Sequence, residues 1–342
     1  MGGKAPPFWW QPAGGKALAL APAAALYAAI ARHRLRNGPR APVDIAVVCV
    51  GNLTVGGSGK TPVSIGLAKA AAAMGLKPGF LSRGHGARLS RPLLVAPDSP
   101  PVVSAGDEPL LLAGHAPVAV TPDRAAGARL LIEHGCDIAI MDDGFQSARI
   151  RMDHAILVVD ALFGIGNGRV LPAGPLRAAI ADQMPYADSI LRMGQGSAAD
   201  GVIRLAARAG KPVHTASVRP LEPERLAGRR LLAFAGIGHP VKFFDTVRAA
   251  GADVVQARAF PDHHPYSEAE IRRLMEDARG LRAALVTTAK DAARLRGSAF
   301  PGLDEMLEVL EIEVVFDDPH VPERIVEAAM AAYGRRKLAG RT

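Results

Sequence analysis

The sequence predicts an α/β protein with a parallel sheet covered by helices on both faces, followed by a smaller C-terminal α/β domain. Apolar runs rich in β-branched residues, such as Asp44–Val50, are typical of strands buried on both faces. These runs alternate with segments of helical length, as parallel strand–helix–strand units require. A stretch with several prolines and scattered charges, residues 211–230, separates the two sets of units and is predicted to be a linker or an inter-domain strand pair.

The first α/β domain is predicted over residues 41–210 and the smaller one over residues 231–342. The predicted strands of the first domain are 44–50, 77–81, 118–121, 137–141, 154–159 and 189–192, with helices at 61–74 and 122–134. Those of the smaller domain are 231–235, 253–257, 283–288 and 310–316, with helices at 240–250, 268–278 and 322–337.

Composition limits the classes of partner. With 342 residues, 49% hydrophobic and 22% charged, the chain has enough apolar residues for a globular core. Its formal net charge of +8 favours an anionic partner. Basic and aromatic residues do not interleave as in a nucleic-acid platform, so no nucleic-acid partner is expected. Cys49 and Cys136 lie in or beside apolar runs and are interpreted as core residues.

Residues 1–40 are predicted to hold a membrane-interfacial helix. A Phe-Trp-Trp segment at residues 8–10 precedes an uncharged apolar stretch at residues 17–31, and arginines follow between residues 32 and 40. The stretch is shorter than the roughly 20 residues of a membrane span, and most of the basic charge follows it, unlike in a signal peptide. Tryptophans at headgroup depth and arginines on anionic lipid fit a helix that lies on the membrane. A core helix with a basic end is the alternative.

The strongest motif is GNLTVGGSGKT at residues 51–61, between a buried strand and a helix. This is the context of a P-loop, in which backbone N–H groups and a helix N-terminus bind nucleotide phosphates. Lys60 is expected to reach the β- and γ-phosphates, and the Thr61 hydroxyl to bind Mg²⁺. The strict pattern has Gly where this chain has Thr54. The expected phosphate-binding residues are Thr54, Val55, Gly56, Gly57, Ser58, Gly59, Lys60 and Thr61.

The subclass of P-loop protein bears on the nucleotide. Dimerising switch ATPases carry a Lys where this chain has Val55, and no guanine-recognition motif is found around Lys290 and Asp291. ATP is therefore the expected nucleotide. A P-loop with these features leaves several functions open, among them a P-loop ATPase that acts as a switch on a partner and a kinase of a soluble small molecule.

Acidic residues follow a second apolar strand. The segment DIAIMDDGFQ, residues 137–146, ends that strand in Asp142 and Asp143, as in a Walker-B motif that holds Mg²⁺. The segment GDEP, residues 106–109, is weaker, because it also fits a turn that caps a helix. The segment FPDHHPY, residues 260–266, could supply a base, a substrate contact or part of a metal site.

Arginines follow three strand-like runs, each where a phosphate could bind. They are Arg83 in SRGHG, Arg124 in TPDR and Arg177 in LPAGPLR. A single such arginine is more often a solvated surface residue, but three on one predicted sheet edge indicate at least one phosphate contact.

Taken in order along the chain, these segments resemble the tetraacyldisaccharide 4′-kinase family. The resemblance rests on GNLTVGGSGKTP, SRGHG, GDEP, MDDGFQ, LPAGPLR, AGIGHPVKFF, FPDHHPY and TTAKDAARL. It implies a two-domain protein at the cytoplasmic face of the inner membrane, peripheral or N-terminally anchored. It also implies transfer of the γ-phosphate of ATP, with Mg²⁺, to the 4′-hydroxyl of a lipid A disaccharide 1-phosphate, giving lipid IVA. We expect a monomer that contacts anionic lipid at the membrane surface.

The resemblance also implies roles for single residues. Asp107 is the expected catalytic carboxylate, paired with a His of FPDHH, for which we choose His263 over His264. Glu108, Asp142 and Asp143 are expected to serve Mg²⁺ with Thr61. The residues expected to contact substrate or phosphate are Arg83, Arg124, Gln146, Arg177 and His264. The chain departs from the family pattern at His85, Ser147, Ala178 and Ala289, where the family tends to have Tyr, His, Glu and Glu.

Overall fold

The computed structural model describes residues 5–84, 91–96, 106–295, 300 and 302–340. The chain divides into two compact units. The larger comprises Pro6–Val218 and Val314–Thr342, and the smaller is formed by Arg219–Glu313. Each unit has its own sheet and its own hydrophobic core.

The helices and strands follow in chain order. Up to residue 220 they are α1 (Gly15–Ala19), α2 (Ala21–Asn37), β1 (Ala46–Asn52), α3 (Lys60–Ala73), β2 (Pro78–Ser82), β3 (Leu93–Val95), α4 (Asp107–Ala113), β4 (Val118–Val120), α5 (Arg124–Glu133), β5 (Ile138–Asp142), β6 (His154–Asp160), α6 (Ile180–Gln183), β7 (Ser189–Met193), α7 (Asp200–Arg208) and β8 (Val213–Pro220). After residue 220 they are β9 (Arg230–Ala235), α8 (Pro240–Ala249), β10 (Asp253–Ala259), α9 (Glu268–Gly280), β11 (Ala284–Thr288), α10 (Ala289–Leu295), β12 (Leu307–Leu310), β13 (Ile312–Phe316) and α11 (Val321–Ala339).

The large sheet has nine strands in the order β13-β8-β7-β6-β1-β5-β2-β4-β3. The pairs from β8 through to β4 are parallel, and β3 joins β4 antiparallel. Parallel strands end at the same edge, so the segments after β1, β5, β2 and β4 meet there. The mostly parallel sheet expected from the sequence is confirmed.

Strand β1 explains why both faces of this sheet are covered. Its residues are all buried, and they alternate between two core clusters. Val48 packs with Leu67 of α3 and Ile325 of α11, whereas Val47 packs with Leu131 of α5 on the opposite face. Because both faces are apolar, the strand is a continuous hydrophobic run without alternation.

The smaller unit has a four-stranded sheet in the order β10-β9-β11-β12 with parallel pairs. Helix α8 covers one face through Phe243 and Val247, and α9 covers the other through Ile271 and Leu274. Strand β9 lies between β10 and β11, so its two neighbours are reached by crossovers in opposite directions. Such a position is where open α/β sheets usually bind ligands.

The C-terminal boundary differs from the predicted domain 231–342. The predicted single strand 310–316 is two strands, β12 in the small sheet and β13 at the edge of the large one. Helix α11 belongs to the larger unit because Val321, Ile325 and Val326 are buried in the same cluster as β1 and α3. An apolar helix face fits either core by its periodicity, so the sequence pattern does not identify which sheet it covers.

The predicted linker 211–230 also contains regular structure. Residues 213–220 form β8, which pairs in parallel with β7 from Ile190 and Val213 onward. Pro212 lies before the strand and Pro220 is its last residue, so neither removes a hydrogen bond from within the ladder. The prolines therefore mark the ends of a strand that lies next to the edge strand β13.

The N-terminal segment forms two helices in place of the single helix expected over residues 17–31. Pro22 lies in the first turn of α2, the position at which proline is tolerated, so the helix restarts there. Leu26, Tyr27 and Ile30 are exposed on one side of α2, while Leu35 is buried. Within the described part of the chain, no helix is long and apolar enough to cross a membrane.

Residues 8–10 pack onto the larger unit. The indole N–H of Trp9 donates to the carbonyl of Pro172 at 3.0 Å, and the rings of Trp10 and Phe163 lie 5.5 Å apart. Both tryptophans are therefore half-buried against the segment that follows β6. Their expected place at headgroup depth stays a prediction.

Candidate functional site

The P-loop lies between β1 and α3, as expected from its sequence. Gly56 and Gly59 have positive φ values of 106° and 86°, and Gly59 is the N-cap of α3. These conformations are accessible to glycine, and a helix N-terminus that follows such a loop is suited to bind an anion. The buried Ser58 hydroxyl has no hydrogen-bond partner among the described residues. A phosphate oxygen is a partner that this hydroxyl can donate to.

Thr54 occupies the P-loop position where glycine is usual, and the structure gives the reason. It pairs with Leu176 in an isolated antiparallel bridge, and the Val55 N–H donates to the Pro175 carbonyl at 2.9 Å. The φ of Thr54 is not positive, so its backbone conformation does not require glycine. The segment LPAGPLR therefore holds this part of the loop through backbone pairing.

Asp142 at the end of β5 accepts hydrogen bonds from two hydroxyls of α3. Thr61 Oγ1 and Ser64 Oγ each lie 3.1 Å from one of its carboxylate oxygens. The side chain is 5% exposed. Because β5 neighbours β1, Asp142 lies beside the Thr61 hydroxyl. Its expected role in serving Mg²⁺ stays a prediction.

Asp143 lies among cations. Arg177 binds its carboxylate with two hydrogen bonds of 2.8 and 2.9 Å, and the Lys60 ammonium lies 3.7 Å away. The residue has a φ of 54°, a left-handed conformation that Asp adopts more readily than most side chains. Its backbone carbonyl accepts a hydrogen bond from Arg124 at 3.2 Å.

Charge and burial act in opposite directions on these groups. Burial raises the pKa of Asp143, but Lys60 and Arg177 outweigh it, and the pKa falls to about 2. Burial lowers the pKa of Lys60, although the charge of Asp143 opposes the shift. The charges of Asp142 and Glu108 also raise the pKa of Lys60, in the same direction as Asp143.

The three arginines expected to contact phosphate lie at the site in different ways. Arg177 also donates to the Thr54 carbonyl at 3.0 Å, so it joins the P-loop to Asp143. Arg124 is 3% exposed and burial lowers its pKa to about 10, while its Nη1 has no partner among the described residues. Arg83 is exposed just after β2. His85 and Gly86 of the same segment lie outside the described residues.

Gln146 supports the backbone next to the P-loop. Its amide nitrogen donates to the Asn52 carbonyl at 2.7 Å and to Gln183 Oε1 at 2.8 Å. The Gln183 amide in turn donates to the carbonyl of Ala178 at 2.7 Å. A chain of side-chain amides thus connects the end of β1 with the residue after Arg177.

Helix α2 is fastened beside this amide chain. The Nε–H of Arg32 is shared between the two carboxylate oxygens of Asp182, at 2.9 and 3.0 Å, and Arg36 lies 3.6 Å from the same carboxylate. Asp182 precedes Gln183 in α6 and is 7% exposed. A surface pocket lies between α2 and the site. Its lining residues are Tyr27, Ile30, Ala31, Arg34, Gln146 and Arg177. Residues of the N-terminal helix and of the site therefore face one cavity.

Asp107 and Glu108 begin α4, after Gly106 with a φ of 89°. Carboxylates are stabilised in the first turn of a helix by its N-terminal dipole. Asp107 belongs to the larger unit, and His263 and His264 belong to the smaller one. The expected pairing of Asp107 with His263 stays a prediction.

The two histidines have different surroundings. His264 stacks on Phe260 with ring centroids 4.9 Å apart, and its Nε2 lies 2.9 Å from Glu270 Oε1. Glu270 completes the capping box of α9 with Ser267. His263 has a φ of 56° and its side chain is 37% exposed. His264 thus contributes to the fold of the loop, while the His263 side chain is more open to solvent.

The sequence patterns missed several residues of the site. Ser64 follows Thr61 by one turn on the same helix face, a spacing that could have identified it. Gln183 has no such pattern, because its partner Gln146 is 37 residues away. Asp291 lies in the quoted segment TTAKDAARL, but no role was predicted for it.

The described residues contain no group of three or more His, Cys, Asp or Glu side chains that could hold a metal. Mg²⁺ typically takes only one or two carboxylates from a protein and keeps several waters. Asp142 beside the Thr61 hydroxyl fits that requirement. Cys49 and Cys136 are both buried and free.

Comparisons with known proteins agree along nearly the whole chain. A family model described as tetraacyldisaccharide-1-P 4′-kinase matches residues 16–330. A tetraacyldisaccharide 4′-kinase of Mesorhizobium japonicum is 57% identical over 339 residues, which are 99% of each chain. That of Agrobacterium fabrum is 49% identical over 341 residues, covering 99% of this chain and 98% of its own.

A solved structure has a similar fold. LpxK from Aquifex aeolicus, in complex with ATP, has a TM-score of 0.69 at 24% identity. The match covers 92% of this chain and 99% of that one. At this identity the likeness concerns the fold.

Proposed function

Because the chain belongs to the tetraacyldisaccharide 4′-kinase family, we propose that it transfers the γ-phosphate of ATP to the 4′-hydroxyl of tetraacyldisaccharide 1-phosphate, forming lipid IVA. Family membership confirms the enzyme class expected from the sequence, a kinase of lipid A biosynthesis. It also favours this reaction over the two alternatives, an ATPase switch and a kinase of a soluble small molecule.

The proposal rests on the contacts between P-loop residues and the two aspartates at the end of β5. Thr61 and Ser64 bind Asp142, while Lys60 and Arg177 surround Asp143. Phosphoryl transfer depends mainly on alignment of the reactants and neutralisation of phosphate charge. Lys60, Arg177 and the N-terminus of α3 supply fixed positive charge for that purpose.

The acceptor is activated by a carboxylate in this proposal. Asp107 accepts the proton of the 4′-hydroxyl as its oxygen attacks phosphorus, and the bond between that phosphorus and the β-phosphate oxygen breaks. His263 acts with Asp107 by orienting the carboxylate or tuning its basicity. Arg83 and Arg124 contribute positive charge near the phosphates, and Gln146 supports the P-loop backbone. His264 supports the loop that carries His263.

Mg²⁺ fits the donors at the site. Thr61 and Asp142 would hold the ion or its waters, and Asp143 and Glu108 would serve as further carboxylates. Bound Mg²⁺ neutralises charge on the β- and γ-phosphates. A family Glu is replaced by Ala178, which is fully buried. In this chain the carboxylates that serve the ion come from the segments after β5 and at α4.

The lipid substrate places the reaction at a membrane surface. We propose that the protein acts as a monomer at the cytoplasmic face of the inner membrane, bound peripherally through α2. The exposed Leu26, Tyr27 and Ile30, followed by basic residues, support this interfacial role. The pocket between α2 and Arg177 supports an approach of the disaccharide from that side.

The test is transfer of labelled γ-phosphate from ATP to tetraacyldisaccharide 1-phosphate in detergent micelles. Lys60→Ala should lower the rate about a hundredfold or more, because fixed charge at the phosphates is lost. Asp107→Asn should lower kcat roughly 100-fold or more through loss of the base. Lys69→Ala, on the exposed side of α3, and Asp200→Asn, at the start of α7, are matched controls.

If either control variant lost as much activity as its test variant, the loss would be a general effect of the changed charge of the protein and not of the site residue. ATP hydrolysis without labelled lipid in the wild type would contradict the lipid acceptor. Full activity of Asp107→Asn would contradict its role as the base while leaving the kinase assignment intact.

A further inference from the structure

Three segments of the smaller unit carry polar and charged side chains where its strands end. The segments AGIGHPVKFF, FPDHHPY and TTAKDAARL follow β9 and β10 or overlap the end of β11. These strands are parallel, so the segments meet at one edge of the sheet. The loop with His263 is one of them, and Asp291 at the start of α10 joins it to the other two.

Asp291 is a fully buried carboxylate with four kinds of donor. Its side chain is 0% exposed. The Gly236 N–H lies 3.1 and 3.2 Å from its two oxygens, and the Tyr266 hydroxyl donates at 2.9 Å. The Thr288 hydroxyl donates at 2.7 Å and Arg294 at 2.7 Å. A buried charge is tolerated only when it is paired and hydrogen-bonded to this extent.

Gly236 transmits this anchoring to His263. Its N–H donates to Asp291, and its carbonyl accepts the backbone N–H of His263 at 3.1 Å and Nη1 of Arg294 at 2.8 Å. A side chain at residue 236 would meet the Tyr266 hydroxyl and Asp291 at about 3 Å, so glycine allows this close approach. His263 itself has a left-handed backbone, which persists only where neighbouring contacts hold it.

Arg294 also approaches the imidazole. Its Nη2 lies 3.5 Å from His263 Nδ1, a long contact. A guanidinium can only donate, so this geometry favours a lone pair on Nδ1 and the proton on Nε2. Nε2 lies 3.9 Å from Asp262, beyond hydrogen-bonding distance.

We infer that Asp291, Arg294 and Tyr266 form a positioning cluster that fixes the backbone and the tautomer of His263 for phosphoryl transfer. The inference rests on the proposed function, in which His263 acts with Asp107. None of the three touches the reacting atoms in this account. Their effect on the reaction passes through His263 alone.

A double-mutant cycle on the full-length protein tests this dependence. Arg294→Lys keeps the charge that pairs with Asp291 but cannot reach all three acceptors, and Tyr266→Phe removes one hydroxyl. Each should lower kcat roughly 10- to 100-fold in the labelled-phosphate assay, with the KM for ATP unchanged. In a His263→Ala background the same changes should have no further effect. Arg258→Lys, whose partner is Asp277 in the same unit, is the matched control.

Equal loss of kcat with and without His263 would overturn the inference, because the cluster would then act on the fold. In that case Lys60→Ala still reports whether the protein is the proposed kinase. If wild type transfers phosphate and Lys60→Ala does not, the proposed function stands although the positioning role has failed.

A spectroscopic measurement covers variants that fold less well. The two imidazole ¹⁵N shifts of His263 are assigned by their loss in His263→Ala. In the wild type they should report a single tautomer protonated at Nε2, and in Arg294→Lys a mixture. Identical shifts in both proteins would overturn the inference whatever the activities are.

Discussion

Asp143 shows at the residue scale how one carboxylate can organise several cations. Its charge faces Lys60 and Arg177, and its backbone carbonyl faces Arg124. Arg177 binds both Asp143 and the P-loop backbone, so the loop and the end of β5 are held in one arrangement. In the proposed reaction the same cations neutralise charge on the transferred phosphoryl group.

The charge of Asp143 predicts a particular pH dependence of stability. Its pKa of about 2 lies below the value of about 4 expected in the unfolded chain. Its stabilising contribution is therefore complete above about pH 4 and is lost as the pH falls through about 2. The unfolding free energy of the wild type should fall between about pH 4 and pH 2. In Asp143→Asn this fall should be smaller by roughly 1–2 kcal/mol, allowing for solvent screening.

Denaturant titrations at several pH values measure this difference. Asp245→Asn, an exposed residue paired with Arg248, serves as the control and should leave the slope close to that of the wild type. An unchanged slope in Asp143→Asn would mean that its cations do not stabilise the folded state.

Helix α2 is the element that most separates this chain from an ordinary P-loop domain. Arg32 and Arg36 form ion pairs with Asp182 and so hold the helix in place. The Asp182 side chain is buried, while both arginines are exposed. With the helix held in this way, Leu26 and Ile30 are 66% and 46% exposed. Apolar groups exposed together on a basic helix are typical of an interfacial segment.

This arrangement predicts the outcome of vesicle binding. The double change Leu26→Gln with Ile30→Gln should weaken co-sedimentation with vesicles containing anionic lipid by roughly tenfold or more, since each buried side chain contributes about 1.5–3 kcal/mol. Ile132→Gln with Leu205→Gln, exposed on α5 and α7, is the matched control. Equal binding of both double variants would argue against α2 as the membrane contact.

At the scale of the whole molecule, the smaller unit is an insertion in the chain of the larger one. The chain leaves the larger unit after Val218 and returns at Val314, and the strands at these points, β8 and β13, are neighbours in one sheet. A domain inserted between adjacent strands can fold without disturbing the register of the sheet that carries it.

The insertion predicts which fragment is stable. Residues 219–313 alone should give a cooperatively folded domain with dispersed amide NMR signals, because both faces of its sheet are covered from within. Residues 231–342, the domain expected from the sequence, should aggregate, because α11 would expose Val321, Ile325 and Val326. A well-folded, monomeric 231–342 fragment would contradict this division of the chain.

Features that depend on neighbouring residues in the chain could be predicted from the sequence, whereas features that depend on distant contacts could not. Strand β1 and the P-loop are local patterns, in which buried-strand periodicity and glycine conformation act over about ten residues. The place of α11 could not be predicted, because apolar periodicity shows that a helix face is buried but not against which sheet. The binding of Asp143 by Arg177 likewise depends on contacts 34 residues apart in the chain.

The insertion also sets the order in which the protein can mature during its synthesis. A ribosome releases the chain from its N-terminus, so residues 219–311 emerge before β13 and α11 do. The nascent larger unit must wait for α11, since Ile325 and Val326 complete the same core as β1. The smaller unit can therefore fold first, while the core of the larger unit becomes complete only after α11 has emerged.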